Sequence, residues 1–142
     1  LKDGSKKMSK SELSDLSRIN LTDNKDQIIN KIKKAKTDPL PLPKSLKEID
    51  ERVEAKNLIG IYASLTNSTL EKSIENFAGK NFSEFKEKLS QVLVDKIEPI
   101  SAEIKKLLAD QEYLDQILLE GVEKANSIAS KKIERIKEIV GF

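Results

Sequence analysis

From residue 45 to the end of the chain, apolar residues return every three or four positions, and no stretch alternates as a half-buried strand does. The clearest run is Phe85, Leu89, Val92, Leu93, Ile97, Ile100, Ile104 and Leu107. A second stripe, Leu118, Val122, Ala125, Ala129, Ile133, Ile136 and Val140, follows it. A pattern of this period can bury its apolar side only as helix, so the expected class is all-α. Ser45-x-x-Glu48 has the form of a capping box, and the helix after it is expected to turn Ala55, Leu58, Ile59, Tyr62 and Leu65 to one face. Ser68-x-x-Glu71 opens another, with Leu70, Ile74 and Phe77 apolar and Gly79 suited to a left-handed C-terminal position. Ser83 is the expected cap of the run that begins at Phe85, and Pro99 is expected to kink or divide it. Asp110 caps the last long helix, and Gly141 lies past its end.

The front of the chain reads differently. Residues 1–21 show no sustained period and are read as loop. In "LTDNKDQIINKIKKAKTD", Thr22 or Asp23 is expected to cap a helix carrying Ile28, Ile29, Ile32 and Ala35. Asp23 and Asp26 fall in its first turn, and Lys31, Lys33, Lys34 and Lys36 near its end, as the helix dipole favours. "DPLPLPK" stops it, and prolines at alternate positions favour an extended connector. The expected organisation is thus a loop segment over 1–21, a basic connecting helix over 22–38, a Pro-rich connector over 39–44 and a helical domain over 45–142.

Composition narrows the chemistry. The 142 residues are 37% apolar but only 4% aromatic, with no Trp, so the core must be mostly Leu, Ile and Val. No run of about 18 apolar residues suggests a membrane span, and no charged-then-apolar leader opens the chain. Absence of Cys removes disulfides and thiolate metal sites, and fits a cytoplasmic protein. Absence of His removes Ser-His and Cys-His nucleophile systems and His-ligated zinc. No metal ligand set is expected. Residues 1–44 hold 11 Lys/Arg against 6 Asp/Glu, and the remainder 15 against 18, so basic character belongs to the front.

"KMSKS" at Lys7, Met8, Ser9, Lys10 and Ser11 sets two ammonium groups three residues apart, with two hydroxyls and a thioether among them. Lysines neutralise polyphosphate as mobile point charges, and hydroxyls donate to phosphate oxygens. Charge building on a leaving pyrophosphate would be stabilised by such a loop. A solvated Lys/Ser stretch has the same composition. On the last helix, Lys124, Lys131 and Arg135 share a face beside the apolar stripe, with Lys132 close by. That patch suits phosphate contacts, or is an ordinary solvated face with cations near a helix C-terminus. Tyr62, Phe77, Phe85 and Tyr113 lie on apolar stripes and are expected in the core rather than as base-stacking platforms.

Lys7 to Ser11 matches, letter for letter, the second signature of class I aminoacyl-tRNA synthetases. "INLTDNKDQIINKIKKAKTD" (19–38) resembles the segment after that signature in bacterial tryptophan–tRNA ligases. "EAKNLIGIYASLT" (54–66), "FAGKNFSEFKEKL" (77–89) and "GVEKANSIA" (121–129) resemble further blocks of that family, in the family's order. One departure is "ELSDLSR" after the signature, where the family usually has Asp and a Pro/Asn-rich stretch. The resemblance implies a C-terminal portion of such an enzyme, its Rossmann-type domain and "HIGH"-like signature absent. It implies a loop closing over ATP with Mg2+, in which Lys7 and Lys10 neutralise the leaving phosphates, Ser9 and Ser11 donate hydrogen bonds and Met8 packs near the adenine. It further implies an anticodon-binding helical domain meeting tRNA(Trp), tryptophan bound by the missing domain, a homodimeric parent and a cytoplasmic location. A chain lacking the facing half of the site is expected to be inactive alone. A free-standing helical tRNA-binding module and a tyrosine–tRNA ligase fragment are the other readings.

Overall fold

The computed structural model describes residues 1–5, 9 and 11–141. Among them every regular element is helical. After a single 3-10 turn at Asp15–Ser17 come α1 (Lys25–Lys33), α2 (Leu46–Asp50), α3 (Val53–Leu65), α4 (Leu70–Phe77), α5 (Phe82–Ala109) and α6 (Gln111–Val140). The chain divides into two compact units, Leu1–Ala102 and Glu103–Phe142.

The first unit is built around the stripes read from the sequence. Ile28 and Ile32 of α1, Ile49 of α2, Ala55, Leu58 and Ile59 of α3, Ile74 and Phe77 of α4, and Phe85, Leu89, Leu93 and Val94 of α5 bury together. Each fully buried Ile, Leu, Val or Phe among them contributes about 1.5–3 kcal/mol by leaving water. The aromatic centre is Tyr62, Phe77 and Phe85. The Phe77 ring stands edge-on to Tyr62 and to Phe85, with centroids 4.9 Å apart in both pairs. Quadrupoles favour that arrangement over a face-to-face stack.

The helix starts show where local signals compete. Asn24, rather than Thr22 or Asp23, caps α1: its Oδ1 accepts from the Gln27 amide at 2.9 Å, and Gln27 Oε1 accepts from the Asn24 amide at 2.8 Å. Asp23 is unavailable because its carboxylate is engaged by Lys31 and Asn20. Ser45 accepts from the Glu48 amide, but Glu48 Oε2 accepts from the Lys44 amide, so only half of the expected box forms. The helix it opens ends at Asp50, and α3 starts separately at Val53. Thr69 caps α4 instead of Ser68, whose hydroxyl pairs with Ser73 Oγ at 2.7 Å. Asn81 replaces Ser83 at the start of α5, its Oδ1 accepting from the Glu84 amide at 2.9 Å. Asp110 caps α6 as expected, accepting from the Tyr113 amide at 3.0 Å. Gly79 and Gly141 take the left-handed backbone, at φ +73° and +83°.

The Pro-rich connector is pinned at several points. The Leu42 amide donates to Lys80 O at 2.8 Å, and the Gly79 amide donates back to Leu42 O at 3.1 Å. Leu42 and Pro43 are buried. Arg52, at the break between α2 and α3, reaches across: its guanidinium donates to Asp38 Oδ2 at 2.9 Å and to Pro41 O at 2.6 Å, and lies over the Phe82 ring.

Pro99 lies inside α5 without dividing it. Having no amide hydrogen, it leaves the Asp95 carbonyl without its intrahelical donor. Two residues on, the Ser101 hydroxyl is buried with no hydrogen-bond partner among the described residues.

In the second unit the apolar stripe of α6 is on the surface. Leu118, Val122, Ile133, Ile136 and Val140 are all exposed, and α6 has no buried residue. This unit holds only the last turns of α5 and α6, so it has no second apolar face long enough to cover the stripe. Tyr113 is exposed for the same reason, against the expectation that it is core.

Candidate nucleotide loop and helical basic surface

Of the five signature residues, Lys7, Met8 and Lys10 lie outside the described residues. Ser9 and Ser11 are described and exposed. Their hydroxyls are 2.9 Å apart, and the Ser11 amide donates to Ser9 Oγ at 3.3 Å. The Glu12 amide donates to Ser9 O at 3.4 Å, closing a turn. Ahead of the signature, Asp3 Oδ1 accepts from both the amide and the hydroxyl of Ser5.

The turn from Ser9 to Glu12 is tied to the core by Arg18. Its Nη1 donates to Glu12 O at 2.9 Å and to Ser9 O at 3.3 Å. Its Nε donates to Asn20 Oδ1 at 3.1 Å, and its Nη2 lies 3.4 Å from Asp15 Oδ1. Asn20 Nδ2 donates to Asp15 Oδ1 at 2.9 Å and to Asp23 Oδ1 at 3.3 Å. Both carboxylates converge on Lys31, whose Nζ is 2.6 Å from Asp15 Oδ2 and 2.7 Å from Asp23 Oδ2. Lys31 and Asp23 are buried at 3% exposure each. The Lys31 hydrogen bond, then that of Asn20, holds the Asp15 carboxyl below its ordinary value of 3.8.

Lys31 was expected among the cations at the end of α1. Its spacing from Ile28 and Ile32 puts it on the buried stripe, and that spacing was the available signal. Arg18 and Asp15 left no comparable mark in the sequence. Of the other basic residues, Lys36 pairs with Glu54 at 2.7 Å, while Lys33 and Lys34 are exposed. Lys86 of α5 reaches the open end of α1, donating to Ala35 O at 2.7 Å and Lys33 O at 3.2 Å. Burial lowers its pKa from 10.5.

Lys124, Lys131, Lys132 and Arg135 are exposed on α6, and none makes an ion pair among the described residues. The arrangement leaves their charges available to a polyanion. Among the described residues there is no cluster of three acidic side chains that could hold a metal ion, and no helix is long and apolar enough to cross a membrane.

A helical unit behind a Lys/Ser signature defines a class, and the comparisons agree. The family model for tRNA synthetases class I (W and Y) matches residues 1–98, and the chain belongs to that family. Within it, the chain is 46% identical over all 142 residues to the tryptophan–tRNA ligase of Caulobacter vibrioides, covering 41% of that protein. It is 48% identical to those of Agrobacterium fabrum and Rickettsia felis, again over its whole length, covering 40% and 42% of them. The chain therefore spans about two fifths of the length of the curated relatives it matches.

Proposed function

We propose that this chain is the C-terminal part of a tryptophan–tRNA ligase. In that reading, residues 1–21 supply a loop that closes over ATP, residues 22–38 and 39–44 connect it, and residues 45–142 form the anticodon-binding helical domain. The observation that carries it is the identity of 46–48%, sustained over every residue of the chain, to proteins of that name.

The reaction would be attack of the tryptophan carboxylate on the α-phosphorus of ATP. Pyrophosphate leaves, and the tryptophanyl group then passes from the adenylate to a ribose hydroxyl of tRNA(Trp), releasing AMP. Lys7 and Lys10 neutralise the departing phosphates, Ser9 and Ser11 donate to their oxygens, and Met8 packs near the adenine. Mg2+ arrives with ATP as part of the substrate. Lys124, Lys131, Lys132 and Arg135 contact tRNA phosphates; their exposure, without an ion pair among the described residues, supports this role. Tryptophan is bound by the Rossmann-type half of the parent enzyme, which works as a cytoplasmic homodimer.

ATP–pyrophosphate exchange measured with this chain alone should stay at background; turnover above it would overturn the assignment of the chain as half a site. K131E with R135E should weaken tRNA(Trp) binding and flatten its salt dependence. Unchanged affinity at low salt would remove the patch from the reading.

A further inference from the structure

We propose that Arg18 is a positioning residue for the ATP-facing segment: its guanidinium fixes the Ser9–Glu12 turn of the signature segment. This rests on the reading of the segment as an ATP loop.

All three guanidinium nitrogens are engaged. Nη1 holds the carbonyls of Ser9 and Glu12, Nε holds Asn20, and Nη2 pairs with Asp15. Arg18 is thus the one described side chain that binds backbone at both ends of the turn. Its anchors are themselves tied to a buried group. Asp15 and Asp23 both bind the buried Lys31 ammonium, and Asn20 bridges the two carboxylates. An unbroken path of charge-assisted bonds therefore runs from the core face of α1 to the turn. Bonds of this kind are stronger than neutral ones. A loop that stabilises charge on leaving phosphates gains from being held before the reaction, because reorganisation is then not needed at the moment charge develops.

Lysine cannot replace this arginine in full. A single ammonium can keep the Asp15 pair, but it lacks the planar fork that serves both carbonyls and Asn20 together.

Two measurements decide the matter. In this chain, R18A should raise amide hydrogen exchange at Ser11 and Glu12 at least tenfold, while core amides of α3 and α5 stay protected. In the full-length enzyme carrying this segment, R18A should raise KM for ATP in pyrophosphate exchange about tenfold or lower kcat by as much. Tryptophan binding and KM for tRNA should move less than about twofold, and R18K should fall between wild type and R18A. Faster exchange at the turn with unaltered ATP kinetics would overturn the catalytic half and leave a merely structural tie. Unaltered exchange at Ser11 and Glu12 would overturn the proposal outright. General loss of α3 and α5 protection in both variants would do so as well, by showing that Arg18 supports the whole unit. A wild-type full-length protein without ATP–pyrophosphate exchange would instead sink the ligase reading, and with it the ATP role of Arg18, whatever the amides report.

Discussion

Replacing Lys31 with Met is expected to cost the first unit about 3 kcal/mol. The size follows from what is left behind. Lys31 and Asp23 are each 3% exposed, so removing the ammonium strands a buried carboxylate. Losing one partner of such a pair typically costs about 3–5 kcal/mol. The lower end applies, because Asp23 keeps the Asn20 amide at 2.8 Å and Asn20 Nδ2 at 3.3 Å. Asp15, at 55% side-chain exposure, can turn to water. With a urea dependence of about 1.5 kcal/mol/M, the midpoint should fall by about 2 M. Near-UV circular dichroism of Tyr62 reports on this unit, since its ring is packed against Phe77, provided Tyr113 is first replaced by Phe. Adding D23N to K31M removes the stranded charge and should recover about 1–2 kcal/mol. The reasoning fails if K31M alone costs less than about 1 kcal/mol, or if the double variant is no more stable than the single.

Three further outcomes are expected. F85A should destabilise by about 3–5 kcal/mol, because Phe85 is fully buried and stacks edge-on with Phe77; a loss under about 1 kcal/mol in urea would show that the site collapses. G4A should lower the melting temperature, because a Cβ there would stand 2.8 Å from Val53 O and 3.1 Å from Glu54 Cα, both backbone; an unchanged transition would mean the segment before the signature shifts freely. On acidification, stability should fall through the carboxylate range. The Asp15 carboxyl is lowered by Lys31 and that of Glu54 by Lys36, while at Asp38 Arg52 and the Leu40 amide outweigh the upward push of burial. Folded values below the ordinary 3.8 and 4.5 mean a contribution fully present above those values and lost as pH drops through the lowered ones. No histidine adds a step between about pH 5 and 8. A urea midpoint that falls mainly above pH 5 would assign the dependence to other groups.

The sequence by itself determined the helical class, the stripes that meet in the first unit and the family, because periodicity and contiguous motifs are local properties of the chain. It also determined the caps whose side chains had no competitor, such as Asp110. Caps failed where a tertiary partner took the side chain: Asp23 went to Lys31, and Ser68 to Ser73. Those partners lie only eight and five residues away, but whether they reach the capping side chain depends on how the chain folds between them, which a capping signature does not carry. The same holds for the connector. Its prolines predicted an extended path, but only the fold joined Leu42 to the turn before α5 and set Arg52 over it. The α6 stripe is the converse case. Its pattern is as regular as that of α5, yet burial requires a facing surface, and the second unit holds none of sufficient length. Arg18 was silent in the sequence for a related reason. Its role lies in two backbone carbonyls, which every residue has, and only the tertiary structure decided which two its guanidinium would meet.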